Sequence, residues 1–180
     1  SYDAERRPVG EEVVGRTVRH AREGVGAGSS DVDFVMRREA QLLIDYAGSP
    51  IVAADAGRRA PDARGLTRDA VTDPFRLFTL LAGERHTLLL YADGETSVAA
   101  LESAAEAAGQ AAHGLLDTYV IAHPSAAVST TVLPLIIDTA GEFATAYSGD
   151  AFVVRPDGYL GYAGEADASA LANYLKLTFT

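Results

Sequence analysis

Thr87-Leu88-Leu89-Leu90-Tyr91-Ala92-Asp93-Gly94-Glu95-Thr96-Ser97, continuing into Val98-Ala99-Ala100-Leu101, is the stretch that decides the fold. Thr87 to Tyr91 is nearly all apolar, as expected of a strand covered on both faces. Ser97 then caps a helix in which Val98, Leu101, Ala105, Ala108 and Ala112 share one face, while Glu102, Glu106 and Gln110 face solvent. The alanines suit close packing of that helix on a sheet. A buried strand feeding an amphipathic helix marks the centre of an α/β domain.

Downstream, Leu115 to Ala122 and Leu133 to Ile137 read as further strands, with Pro134 at the start or edge of the second. Glu142 to Tyr147 reads as a short helix. Phe152-Val153-Val154, Pro156-Asp157-Gly158 and Tyr159-Leu160-Gly161-Tyr162 read as a hairpin, because proline sets φ and glycine accepts a positive one. Asp167 caps a last helix that buries Leu171, Tyr174 and Leu175. The order strand, helix, strand, strand, helix, hairpin, helix implies a mixed sheet flanked by helices. It resembles a thioredoxin-type domain, yet the chain contains no cysteine.

Upstream the signals are more irregular. Pro74 to Leu81 reads as a short helix behind an Asp73 cap and ahead of a Gly83 stop. Gly57-Arg58-Arg59-Ala60-Pro61-Asp62 reads as an irregular surface loop. Ile51 to Asp55 and Gln41 to Tyr46 read as extended segments, and Asp31 to Arg38 as a helix capped by Ser30 or Asp31. Gly24 to Ser30 has linker composition and marks a boundary between residues 1–30 and 31–180. From Pro8 to Glu23, Val9, Val13, Val14, Val18 and Ala21 recur at helical spacing, opposite Glu11, Glu12, Arg16 and Arg19. Pro8 belongs in a first turn or at a kink. This apolar stripe has no obvious local partner, so the helix is expected to belong to a missing upstream domain.

A net charge of −10 repels phosphate backbones and argues against nucleic acid as a partner. No apolar run approaches the roughly 20 residues of a membrane-spanning helix. Ser1-Tyr2-Asp3-Ala4-Glu5-Arg6-Arg7 lacks the apolar core of a signal peptide, which makes a cytoplasmic location the default expectation.

Candidate chemistry is sparse. A redox dithiol would sit between the first core strand and its helix, and Ala92 to Ser97 holds two carboxylates there, which read as helix-capping charges. Asp150-Ala151 stands where such domains carry a proline before the hairpin strand. Thiol–disulfide exchange is excluded. His113, Asp117 and His123 invite a metal reading, against which His113 reads as a helix C-terminal histidine and Asp117 as a strand residue. No Gly-x-Ser-x-Gly elbow occurs. Gly24, Gly26 and Gly28 follow a helix instead of linking a strand to one, so they form no dinucleotide fingerprint. Arg58, Arg59, Arg64 and Arg68 form the one dense basic stretch, read as a loop stapled by Arg–Asp pairs or docked on a neighbouring domain.

Several segments together resemble the C-terminal region of the FAD-dependent aromatic hydroxylases of the para-hydroxybenzoate hydroxylase superfamily, among them phenol, polyketide and rifampicin-type monooxygenases. They are Tyr2 to Val9, Tyr46 to Ile51, Gly57 to Asp62, Leu77-Phe78 with Thr87 to Leu90, and Val154-Arg155-Pro156-Asp157-Gly158-Tyr159. The resemblance implies a parent enzyme that hydroxylates an aromatic ring with O₂, FAD and NAD(P)H, of which this chain is a catalytically silent accessory piece. The family's flavin motifs would all precede Ser1, so no catalytic, cofactor-binding or metal-binding residue carries over. The resemblance further implies the upstream FAD and substrate domains as partners, with homodimer contacts in some members. A self-standing, redox-inactive thioredoxin-like interaction or dimerisation module is the alternative.

Overall fold

The computed structural model describes every residue except 1, 26–29, 54, 70, 72, 96, 129–131 and 180. The N-terminal part contains helices α1 (Tyr2–Glu23) and α2 (Val32–Glu39). Then come β1 (Leu66–Thr67), α3 (Leu77–Leu80), β2 (His86–Ala92), α4 (Val98–Ala111), β3 (Leu116–Ala122) and β4 (Leu135–Asp138). The chain finishes with α5 (Glu142–Ala146), β5 (Ala151–Val154), β6 (Leu160–Gly164) and α6 (Ala168–Thr178). The strands form one mixed sheet in the order β1-β4-β3-β2-β5-β6. β2, β3 and β4 run parallel, while β1, β5 and β6 make the antiparallel pairings.

Alternation along the strands sends successive side chains to opposite faces. Leu88, Leu90, Val120 and Val153 meet Leu101, Ala104 and Ala108 of α4 and Leu171 and Leu175 of α6 in one core. Leu89, Ile121, Ile136 and Phe152 meet Phe143 of α5 and Leu77 of α3 in a second core on the other face. Burial on both faces is why β2 reads as an unbroken apolar run. Asp167 accepts from the amide of Ala170 and caps α6, and Asp31 likewise caps α2 through Phe34.

Tyr147, just past α5, stacks on Phe143 at 4.3 Å and donates its hydroxyl to the carbonyl of Pro61 at 2.6 Å. Burial, and secondarily the charge of Asp62, raise its pKa and keep the phenol neutral. Tyr147→Phe keeps the stack but strands a carbonyl. A loss of about 1–2 kcal/mol is expected in chemical denaturation, with the fold retained.

Several sequence expectations give way here. Gln41 to Tyr46 and the described residues of Ile51 to Asp55 form turns and irregular chain, with no strand among them. Gly57 to Asp62 is irregular but only partly at the surface: Gly57 and Ala60 are buried, Arg58 and Arg59 are exposed, and the segment lies along β6. Ala53 donates to the carbonyl of Gly161, Gly57 to that of Leu160, and Leu160 to that of Arg58. Leu66 exchanges two backbone bonds with Phe75 at the other border of the sheet. The chain's own backbone therefore borders the sheet at Leu160 and Gly161 of β6 and at Leu66 of β1. α3 is shorter than expected, with Arg76 and not Asp73 at its N-cap. Asp62 supplies the missing acceptor, taking the amide of Phe78 at 3.1 Å while also pairing with Arg76.

The first helix departs most. It starts at Tyr2, so Pro8 lies in its interior; the carbonyl that proline leaves unbonded belongs to exposed Ala4. Its buried residues are Glu5 and Arg16, while Val14 and Val18 are exposed. Glu5, Val9, Val13, Arg16 and His20 form the inward stripe, and Arg16 falls on the side opposite to that expected. The helix also has partners within this chain, in the hairpin and in α2.

Candidate functional site

Charged groups of the described residues converge where the first turns of α1 meet the β5–β6 hairpin. Arg155, at the end of β5, donates Nη1 to Glu5 Oε1 at 2.5 Å and Nη2 to Glu5 Oε2 at 2.7 Å, a bidentate pair. Its Nη2 also meets Asp157 Oδ2 at 2.7 Å, and Arg6 Nη2 reaches the same oxygen at 2.5 Å. Arg6 donates in addition to the Tyr46 hydroxyl. The guanidinium carbons of Arg6 and Arg155 lie 4.8 and 5.5 Å from the centre of the Tyr46 ring. Tyr46 meets Tyr159 edge-on at 4.6 Å, and Arg59 lies over the Tyr159 ring.

Two carboxylates and two guanidiniums thus neutralise one another, with the Glu5 side chain 1% and that of Arg155 9% exposed. Burial acts to raise the pKa of Glu5, but hydrogen bonds from Arg155 and Ser49 and the charges of Arg155 and Arg6 outweigh it and hold the carboxyl below its ordinary value. Burial opposes the charge on Arg155, and the bonds to Glu5 and Asp157 prevail, so the guanidinium stays protonated. The Tyr46 phenol is pushed up, chiefly by burial. Beside the cluster, a cavity of about 270 Å³ is lined by Ile51, His86, Arg155, Pro156, Asp157 and Thr178. Burial and the nearby Arg155 lower the pKa of His86, whose ring meets Phe179 edge-on at 4.9 Å. The arrangement holds two segments together; with both guanidiniums engaged by carboxylates it presents no free cation to an anionic ligand.

The strand-to-helix junction is acidic. Asp93 Oδ1 accepts from the amide of Glu95 at 2.8 Å, and Gly94 takes φ +107°, which glycine adopts without strain. Asp150 lies close enough to Asp93 and Glu165 that burial first, and their charges second, raise its pKa. His113, Asp117 and His123 are used separately. His113 follows the C-cap of α4, Asp117 faces Arg85 at 3.7 Å, and His123 Nδ1 meets Ser125 Oγ at 2.7 Å. Among the described residues no three His, Asp or Glu gather as a metal would require.

The basic stretch is also dispersed. Arg59 and Arg68 lie over Tyr159 and Phe75, and the Arg64 amide is taken by Glu142. The salt bridge to Asp62 comes from Arg76, outside the stretch expected to supply it. Sequence reasoning missed the pairing of Glu5 with Arg155. The available signal was that Glu5 precedes Val9 by four residues and Val13 by eight, on the inward side of the helix.

Fold and junction together define a thioredoxin-like domain that has no thiol pair. The aromatic-ring hydroxylase C-terminal family matches residues 53–180, and the chain belongs to that family. Its fold is similar to part of the flavin-dependent monooxygenase PieE, solved with FAD and substrate: TM-score 0.65, 18% identity, 99% of this chain and 39% of PieE covered. It is also similar to the thioredoxin domain of a thiol-disulfide oxidoreductase from Bacteroides vulgatus, with TM-score 0.52, 12% identity, and 71% of this chain and 100% of that one covered. At such identities these likenesses speak to fold alone. The chain spans 39% of the length of PieE. A comparison with curated proteins found no match. Among the described residues no helix is long and apolar enough to cross a membrane.

Proposed function

We propose that this chain is the C-terminal accessory domain of an FAD-dependent aromatic-ring monooxygenase, giving structural support or assembly contacts and performing no catalytic step itself. The observation that carries the proposal is the family match over residues 53–180 combined with coverage of only 39% of a flavin-dependent monooxygenase. FAD and NAD(P)H would belong to the remainder of such an enzyme, in the cytoplasm, with the FAD and substrate domains as this domain's partners. In this reading residues 1–30 belong with the upstream domain and residues 31–180 form the accessory unit.

At the junction of β2 and α4 the described residues do not fit a flavin dinucleotide. A pyrophosphate needs a glycine-rich turn opening onto a helix N-terminus, and the turn between β2 and α4 places Asp93 and Glu95 there instead. Titrating FAD against the 180-residue chain should leave flavin fluorescence and its anisotropy unchanged at micromolar concentration. Saturable binding in that range would overturn the silent role.

A further inference from the structure

Neither hydrophobic core contains a residue before Val52. α2 buries no residue, and the residues of α1 with least exposure, Glu5 and Arg16, are both charged. Arg16 Nη1 bonds the carbonyl of Arg38 at 3.1 Å and His20 faces Glu39 at 3.5 Å, so α1 and α2 hold each other. Their hold on the sheet domain is different in kind. It is the cluster of Glu5, Arg6, Arg155 and Asp157 around Tyr46, supported by one backbone bond from Tyr46 to Gly57 at 3.0 Å.

We infer that the Glu5–Arg155 cluster is an electrostatic latch: it docks the α1–α2 arm on the β5–β6 hairpin, and opening it frees the arm while the six-stranded sheet stays folded. Breaking one side of a desolvated ion pair inside a rigid core leaves a charge with no relief. Here relief is at hand, because Glu5 regains water as soon as α1 lifts. Of the buried apolar residues, the motion uncovers the Tyr46 ring beneath the two guanidiniums, which is a member of neither hydrophobic core. Local opening of this kind is therefore far cheaper than global unfolding.

The groups facing Glu5 fix the direction of its acid response. They are Arg155 and Asp157 on the hairpin, Arg6 on its own helix, Tyr46 and Ser49 on the intervening chain, and Tyr174 on α6. The folded carboxyl is held below its unfolded value, so its contribution is complete above the ordinary Glu range and is lost as pH falls through the folded value. Acidification opens the latch.

Hydrogen exchange on the 180-residue chain tests this. Glu5→Gln should speed exchange of the α1 and α2 amides by on the order of tenfold or more, with β2 and β3 amides unchanged. An unchanged α1, or α1 and the sheet accelerating together, would overturn the latch. A second measurement does not depend on a variant of the cluster. The chain has no cysteine, so Arg19→Cys with Glu106→Cys gives two exposed spin-label sites without background. One narrow distance at neutral pH should broaden on acidification while sheet circular dichroism is retained. A distance that stays narrow until the sheet itself unfolds would equally dispose of the proposal.

Discussion

Phe143→Ala is expected to destabilise the domain by about 3–5 kcal/mol, the range for removing a fully buried aromatic ring. Phe143 is wholly buried on a helix of five residues, stacked on Tyr147 with the planes 9° apart. It meets Phe152 edge-on at 6.0 Å and Tyr91 at 5.5 Å. So short a helix has no stability of its own and holds its place through this ring. Substitution both opens a cavity beneath β5 and frees α5, and the second effect removes the support under Tyr147 and its bond to Pro61. Urea denaturation should show a lower midpoint. A change below 1 kcal/mol, with the Tyr147 bond intact, would mean that Tyr147 and Phe152 close over the gap.

The second large effect concerns Gly161 on β6. A Cβ there would lie 1.7 Å from the hydroxyl oxygen of Tyr174 and 2.7 Å from its Cζ. Tyr174 is buried in α6, and its rigid ring cannot swing away as a lysine tip would. Gly161→Ala therefore forces α6 off the sheet, at a cost of about 1–3 kcal/mol, on the order of 5 °C in melting temperature. The Tyr174 hydroxyl is buried with only the Thr178 hydroxyl, one turn on, as its side-chain partner, in a poorly aligned contact. Tyr174→Phe alone should thus be close to neutral. Combined with Gly161→Ala it should restore part of the loss but not all, because the ring carbon still crowds the new methyl. Simple additivity of the two changes in thermal melts would refute this coupling.

The parts of the fold legible in the sequence are those whose signal is local. β2 and α4 announce themselves through an apolar run and a helical stripe, and the hairpin through Pro156-Asp157-Gly158. β1 is two residues long and is a strand only because Leu66 and Thr67 meet Asp138 and Ile137. Gly57 to Asp62 has turn composition, yet becomes an edge cover because β6 offers it free backbone groups. α3 is shortened because its cap comes from Asp62, whose acidity marks no helix start in its own neighbourhood. The same logic hid the latch. Glu5 and Arg155 are 150 residues apart, and each alone reads as a surface charge on an amphipathic element.

The backbone of Ala53, Gly57 and Arg58 that borders β6 has a consequence for how the chain reaches its native state. Its bonds join segments about a hundred residues apart, as in Ala53 to Gly161 and Arg58 to Leu160. Contacts of such long sequence separation form late. Until they form, β6 presents open amides and carbonyls to any other molecule in solution, a template for aggregation. Refolding yield should therefore fall with protein concentration.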